Sequence, residues 1–90
     1  MRDTNKNYFM VGYARQDAKG LAESITNSVK QVGFSKSVAE KHSYGVLERT
    51  NAPGVLIESG NINNPKNALI ISNSTFIRRI VDGINNYIKK

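Results

Sequence analysis

Residues 51–65 read NAPGVLIESGNINNP, and this segment decides how the chain is interpreted. Three apolar residues, Val55 to Ile57, run directly into the carboxylate of Glu58. Proline and glycine flank this run on both sides, and an apolar run bounded by such residues predicts a short, fully buried strand. Glu58 would then lie at the carboxyl end of the strand, where open α/β sheets place their ligand crevices. The structural alternative is a glutamate that only ends the strand or pairs with a lysine.

Upstream of this segment, the pattern predicts one strand and one helix. Residues 8–13 are aromatic and β-branched, which favours a strand. Residues 17–32 have helical periodicity, and Gly33 is placed to end that helix. Its apolar stripe consists of Ala18, Leu21, Ala22, Ile25, Val29 and Val32.

The remaining elements are less regular. Residues 34–43 are predicted to be a polar connection containing His42, and residues 44–50 a second strand. Residues 67–71 favour a short helical turn, and Ser72, Asn73 or Ser74 can cap a final helix. The predicted apolar face of that helix comprises Phe76, Ile77, Ile80, Val81, Ile84, Tyr87 and Ile88.

Together these elements predict a small α/β fold. The order is β-α-β-β-α, with a sheet of about three strands and two main helices. Residues 1–7 are expected to form a polar leader, and residues 8–90 one folded unit. Because such a small sheet would expose one edge and an apolar face, we expect either self-association or marginal stability.

Composition limits the classes of function. The chain has 90 residues, 39% of them hydrophobic, and a formal net charge of +6. An anionic partner such as nucleic acid or a cell-wall polymer is compatible with that charge, and so is a simple solvated basic surface. There are no cysteines, which excludes disulfides and thiolate metal sites. We expect no transmembrane segment and no signal peptide in this sequence.

Several sites are not indicated. The seven glycines are dispersed, so no phosphate-binding loop is predicted. His42 is the only histidine and lies among charged residues, which favours an exposed side chain over a catalytic or metal-binding one. No cluster of basic residues resembles a recognition helix, so we do not expect nucleic acid as a partner. The sequence predicts no metal ligand.

Residues 45–65, GVLERTNAPGVLIESGNINNP, resemble the C-terminal signature of zinc-dependent N-acetylmuramoyl-L-alanine amidases. These autolysins, spore and division amidases and phage endolysins share the pattern Pro-x-Val-Leu-x-Glu-x-Gly-Phe-x-Ser-Asn. The family's terminal Gly-Ile-x-x-Tyr matches residues 83–87, and its Leu-Ala-x-x-Ile helix matches residues 21–25. The resemblance covers nearly the whole chain from residue 8 and implies part of a larger amidase α/β fold.

The resemblance also implies a reaction. It implies a peptidoglycan hydrolase that cleaves the amide between the lactyl group of N-acetylmuramic acid and L-alanine. Glu58 matches the glutamate that takes a proton from zinc-bound water and returns it to the departing amine. Asn61, Asn63 and Asn64 occupy the loop that follows and are candidates for substrate contacts. A cell-wall or extracellular location is implied by the family alone.

The sequence departs from the family in two respects. Asn61 replaces the family's phenylalanine, and Asn63 replaces its serine. The family's zinc is held by two histidines and a glutamate that precede the part matched here, so zinc is expected for the complete domain while its ligands are absent from this chain. The resemblance therefore implies the C-terminal half of a catalytic domain.

Three hypotheses follow for such a half-domain. In the first, the chain is an amidase whose site is completed by an N-terminal half on another polypeptide, or by self-association. In the second, it is a non-catalytic wall-binding module or remnant that works without zinc. The third, a small nucleic-acid-binding protein, depends on charge alone.

Overall fold

A computed structural model of the chain describes residues 7–60 and 63–89. Three strands are present: β1 (Tyr8–Tyr13), β2 (Lys36–Lys41) and β3 (Val55–Glu58). Four α-helices accompany them: α1 (Lys19–Val29), α2 (Gly45–Glu48), α3 (Pro65–Ile71) and α4 (Ser74–Ile88). One turn of 3-10 helix precedes α1 and another follows it. The predicted α/β class is confirmed.

The sheet has the order β2-β1-β3. β1 pairs with β2 in parallel, with Met10 opposite Val38, and with β3 in antiparallel, with Met10 opposite Glu58. Because side chains alternate along a strand, Phe9, Val11 and Tyr13 share one face of β1. That face carries the hydrophobic core.

α1 covers this face through the predicted stripe. Ala18, Ala22, Ile25 and Val29 are buried, and Leu21 and Val32 pack against the same core. The left-handed conformation of Gly33 (φ 112°) ends the helical segment as predicted. All three phenylalanines of the chain meet below it: the rings of Phe9, Phe34 and Phe76 have centroids 5.5–5.7 Å apart.

The second strand was predicted at the wrong place. Residues 44–50 do not form a strand; they contain α2, and Val46 is 72% exposed there. The strand lies instead at Lys36–Lys41, within the predicted polar connection. β2 is an edge strand with only two apolar residues, Val38 and Ala39, so its pairing with β1 rather than its own hydrophobicity makes it a strand.

Two further predictions are corrected. β3 is not fully buried: it is an edge strand in which Leu56 is 43% and Ile57 37% exposed. Asn7, assigned to the polar leader, is buried, and its amide donates to the carbonyl of Gly33 at 3.1 Å. Residues 1–6 of that leader lie outside the described residues.

α4 packs mainly against α1. Asn73 is the residue that caps it, accepting a hydrogen bond from the backbone N–H of Thr75 at 2.8 Å. The hydroxyls of Ser24 and Ser28 donate to the carbonyls of Gly83 and Arg79, both at 2.6 Å. Among residues 7–60 and 63–89, no helix has the length and hydropathy needed to cross a bilayer.

The close approach of α1 and α4 depends on Gly83. A Cβ atom at this position would lie 2.6 Å from the Cα of Ile25 and 2.9 Å from the carbonyl oxygen of Ser24. We expect Gly83→Ala to lower the free energy of unfolding by about 1–3 kcal/mol, because the helices must separate to admit the methyl group. The midpoint of urea denaturation measures this change.

Asn85→Ala is the matched control on the exposed side of α4. It should change stability by no more than about 0.5 kcal/mol. Alanine has a higher helix propensity than glycine by about 1 kcal/mol, so a Gly83→Ala chain at least as stable as the unsubstituted one would show that propensity outweighs the contact.

Candidate functional site

Glu58 is the last residue of β3 and is partly buried, so this part of the prediction is confirmed. It lies opposite Met10, and Leu56 lies opposite Gly12. Since Phe9 and Val11 point towards α1, Met10 and Gly12 point to the other face of the sheet, and Glu58 shares that face. We call this surface the glutamate face; it is the side of the sheet that α1 does not cover.

Tyr8 is a neighbour of the Glu58 carboxyl group. Its hydroxyl faces Oε1 of Glu58 at 3.5 Å, which is longer than an ordinary O–H···O hydrogen bond. Tyr8 is on β1, two residues before Met10, and therefore projects onto the glutamate face. The strand predicted over residues 8–13 gave no sign of this contact with Glu58.

The chain leaves β3 through a tightly held turn at Gly60. The φ angle there is 86°, and a Cβ atom would lie 2.1 Å from Oδ1 of Asn67 and 2.4 Å from the carbonyl oxygen of Tyr8. Only glycine fits both the left-handed backbone and the close approach of β1. The turn sets the direction in which the chain continues after Glu58.

Asn67 holds this turn against β1. The side chain is fully buried, accepts from the backbone N–H of Tyr8 at 3.1 Å and donates to the carbonyl of Ser59 at 2.6 Å. The backbone N–H of Asn67 donates to the side-chain oxygen of Asn64 at 3.0 Å. One amide thus links α3, the start of β1 and the residue after Glu58.

The predicted substrate-loop asparagines have different environments. Asn64 is the N-cap of α3, ahead of Pro65 at the first helical position, a combination typical of helix starts. Asn63 is exposed in the turn before it. Asn61 lies outside the described residues. The role of all three in substrate contact stays a prediction.

Arg15, just after β1, positions the segment that leads into β3. The guanidinium of Arg15 donates to the carbonyl of Thr50 and also pairs with Asp17 at 2.6 Å. Tyr44 covers Gly12 on the glutamate face so closely that a Cβ at Gly12 would lie 2.5 Å from the Tyr44 hydroxyl. These contacts place β3 and α2 relative to β1.

His42 follows β2 and is half-exposed, as predicted for a histidine in a polar loop. Its Nε2 lies 2.9 Å from Oε1 of Glu40, and its ring is 5.4 Å from that of Tyr44. In residues 7–60 and 63–89, no three His, Cys, Asp or Glu side chains come together as metal ligands. These residues therefore do not fit a zinc ion by themselves.

A polar groove of about 590 Å³ lies between α1 and α4. Its lining includes Glu23 and Asn27 from α1 and Arg79, Asp82 and Asn86 from α4. The groove is on the helical side of the sheet, away from Glu58. The candidate site is therefore on the glutamate face of the sheet rather than in this groove.

Comparison with known proteins identifies the family. The family described as N-acetylmuramoyl-L-alanine amidase matches residues 5–90. The chain belongs to this amidase family. The probable cell wall amidase LytH of Staphylococcus aureus is 27% identical over 92 residues, which cover 97% of this chain and 32% of LytH.

Solved amidases share the fold. The amidase AmiC2 of Nostoc punctiforme superposes with a TM-score of 0.82 at 22% identity over 98% of this chain and 52% of AmiC2. CwlD of Clostridioides difficile, solved in complex with the GerS lipoprotein, has a TM-score of 0.79 at 23% identity over 99% of this chain and 50% of CwlD. The chain therefore spans about half of these solved chains and a third of LytH.

Asn67→Ala tests whether the buried amide holds the site together. The substitution leaves the N–H of Tyr8 and the carbonyl of Ser59 without their partner. Each buried unsatisfied group costs about 1–3 kcal/mol, so we expect a loss of about 2–4 kcal/mol in stability. Chemical denaturation measures the loss, and hydrogen exchange should show faster exchange at the Tyr8 amide.

The control is Asn27→Ala, which removes an exposed amide from α1 and should be nearly neutral. If the two variants were equally stable, water or neighbouring groups would replace the Asn67 contacts, and Asn67 would not anchor the turn.

Proposed function

We propose that this chain is the glutamate-bearing half of a peptidoglycan amidase. Its substrate is the amide between the lactyl group of N-acetylmuramic acid and L-alanine, and it acts at the cell wall. The observation that carries the proposal is the position of Glu58: it ends β3 on the glutamate face, beside Tyr8 and next to the turn that Asn67 anchors. The family match over residues 5–90 supports it.

Glu58 suits both proton transfers of amide hydrolysis. A base must accept a proton from water as the water oxygen attacks the carbonyl carbon, and an acid must protonate the departing amine nitrogen. One carboxylate performs both steps in sequence if it lies beside the reacting atoms. The Tyr8 hydroxyl lies 3.5 Å from Oε1, close enough to favour one orientation of the carboxyl group.

The zinc of the complete family domain needs ligands from outside the described residues. In those residues the Glu40–His42 pair is separated from Glu58 by the width of β1, and no third ligand joins it. We assign the metal ligands to a complementary half of the domain.

A second candidate function is wall binding without catalysis. It is favoured by the net charge of +6, together with the lack of a metal-ligand group among residues 7–60 and 63–89. Charge-driven binding to purified cell wall weakens with added salt, because ions screen exposed charges beyond about 8–10 Å. Binding with no dependence on salt would contradict this charge-driven candidate.

Glu58→Gln tests the catalytic proposal. The 90-residue chain is joined to the complementary half of a family member, and release of the L-alanine amino group from purified peptidoglycan is followed. We expect the substitution to lower kcat by about 10²-fold or more, because glutamine keeps the shape and loses the proton-accepting oxygen.

Glu48→Gln is the matched control, since Glu48 is exposed on α2 and its replacement changes the net charge equally. It should leave kcat unchanged. Undiminished hydrolysis by the Glu58→Gln protein would remove Glu58 from the reaction.

A further inference from the structure

The groove between α1 and α4, which we call the helix groove, has a floor of small residues. Gly20, Ser24 and Ser28 lie along this floor, and the hydroxyls of both serines donate to backbone carbonyls of α4 at 2.6 Å. These hydrogen bonds fix the two helices against each other. A ligand that enters the helix groove therefore meets a floor that is already ordered, which lowers the entropic cost of binding.

The walls of the helix groove combine hydrogen-bond donors and acceptors. Three side-chain amides line it, those of Asn27, Gln31 and Asn86, and each offers an N–H donor group and a carbonyl acceptor. The carboxylates of Glu23 and Asp82 add further acceptors. Apart from glycine, every lining residue in the described part of the chain has a polar side chain. The helix groove thus suits a ligand that is polar over its whole surface.

The charges of the lining favour a neutral ligand. Two carboxylates stand beside one guanidinium, that of Arg79, whose Nη1 lies 3.9 Å from Oδ2 of Asp82. An anionic ligand would meet a lining with more negative than positive groups, although the chain as a whole carries a net charge of +6. A cationic ligand would meet the guanidinium. A neutral molecule with hydroxyl or amide groups avoids both repulsions.

An aromatic ring lies at one end of the helix groove. Gly20 faces Tyr87, and a Cβ atom at Gly20 would lie 3.0 Å from Cε1 of that ring. Glycine at this position therefore lets the ring lie against α1 beside the groove, where Tyr87 is partly exposed. The C–H face of a pyranose ring packs well on an aromatic ring, because both surfaces are apolar.

The dimensions of the helix groove suit a short oligosaccharide. Its α1 side runs from Gly20 to Gln31, which corresponds to about 16 Å along the helical segment. Its volume of about 590 Å³ lies within the range of roughly 300–1,000 Å³ that is typical of small-ligand sites.

We propose that the helix groove binds an N-acetylated glycan strand, as a second wall-binding site separate from the site of hydrolysis. The amides of the groove pair with acetamido and hydroxyl groups, and the Tyr87 ring packs on a pyranose face. The chemical class of the ligand follows from the lining, whereas its source in peptidoglycan rests on the proposed function. The helix groove and Glu58 lie on opposite sides of the sheet, so a strand held in the groove leaves Glu58 free to act on another.

A peptide is the other neutral, polar ligand to consider. Peptide recognition depends on pockets for side chains as well as on backbone hydrogen bonds, and the described lining offers no apolar pocket. A glycan instead presents hydroxyl and acetamido groups along its length. These groups match the mixed donors and acceptors of Asn27, Gln31 and Asn86.

An NMR titration tests the helix groove. The ¹⁵N-labelled 90-residue chain is titrated with tetra-N-acetylchitotetraose, a neutral oligomer of N-acetylglucosamine. We expect saturable shifts at the amides of Asn27, Gln31 and Asn86, with little change at Tyr8 and Glu58. Because the oligomer is uncharged, its Kd should stay within about twofold between low and high salt.

Asn86→Ala should weaken binding of the oligomer by about fivefold, which corresponds to the loss of one hydrogen bond. Asn85→Ala is the matched control: it removes the same side chain from the neighbouring position of α4, outside the lining of the groove. It should leave the Kd unchanged. Both variants should keep the melting temperature of the parent, because both asparagines are exposed.

Two further ligands test the chemical class. Maltotetraose has hydroxyls but no acetamido groups and should bind at least about fivefold more weakly, because the hydrogen bonds to those groups are lost. Tetraalanine should cause no saturable shift. Equal binding of either ligand would overturn the assignment to an N-acetylated glycan. Shifts at the glutamate face instead of the groove, no saturable shift in the groove, or equal effects of Asn86→Ala and Asn85→Ala would overturn the site itself.

Glu58→Gln separates this inference from the proposed function, since it should leave the titration unchanged. Saturable binding in the helix groove, together with undiminished hydrolysis by the Glu58→Gln protein joined to a complementary half, would contradict the proposed function and leave the glycan site intact. Hydrolysis that is lost on Glu58→Gln, in a chain whose groove binds no oligomer, would overturn the glycan site alone.

Discussion

The burial of β1 is the interaction on which the rest of the structure depends. This strand supplies the pairing partner for both β2 and β3, and its Phe9, Val11 and Tyr13 side chains form the floor of the core under α1. β2 and β3 are both edge strands. β2 has few apolar residues, and β3 is short. Without the hydrogen bonds to β1, neither segment would be held in an extended conformation. The orientation of Glu58 follows from its pairing with Met10 on the same strand.

The catalytic candidate is supported by a small polar network rather than by a cavity. Asn67 binds the start of β1 and the residue after Glu58, and Gly60 allows those two backbones to approach each other. Asn67 is fully buried, and its side chain has partners in two other segments of the chain. Such an arrangement holds a side chain in place even on an open surface, because the backbone on both sides of it is fixed.

The uneven covering of the molecule has a simple origin in its layers. α1 and α4 form one layer on one face of a three-stranded sheet, and the molecule is only 16 Å thick along its shortest axis. The sheet ends at β3, a mainly apolar edge strand, and one side of α4 carries exposed apolar residues. The membership of the chain in an amidase family, and its span of about half of the solved amidases, agree with this uneven covering.

Local patterns in the sequence determined the elements that carry strong periodicity or clear end signals. The stripe from Ala18 to Val32, the end at Gly33 and the strand that stops at Glu58 were all predictable, because the apolar spacing and the glycine and proline positions act within a few residues. The family motif around Glu58 was likewise visible in the sequence.

Tertiary structure alone decided which weak segments became strands and which contacts fix the site. Lys36–Lys41 forms a strand because β1 offers it a parallel partner, whereas residues 45–48, more apolar in sequence, have no strand beside them and form a helix. Asn67 gave no local sign of being buried, since its partners lie 59 and 8 residues away. The exposure of β3 and of one side of α4 also depends on what lies next to them in space, and a sequence pattern specifies apolar faces without specifying what covers them.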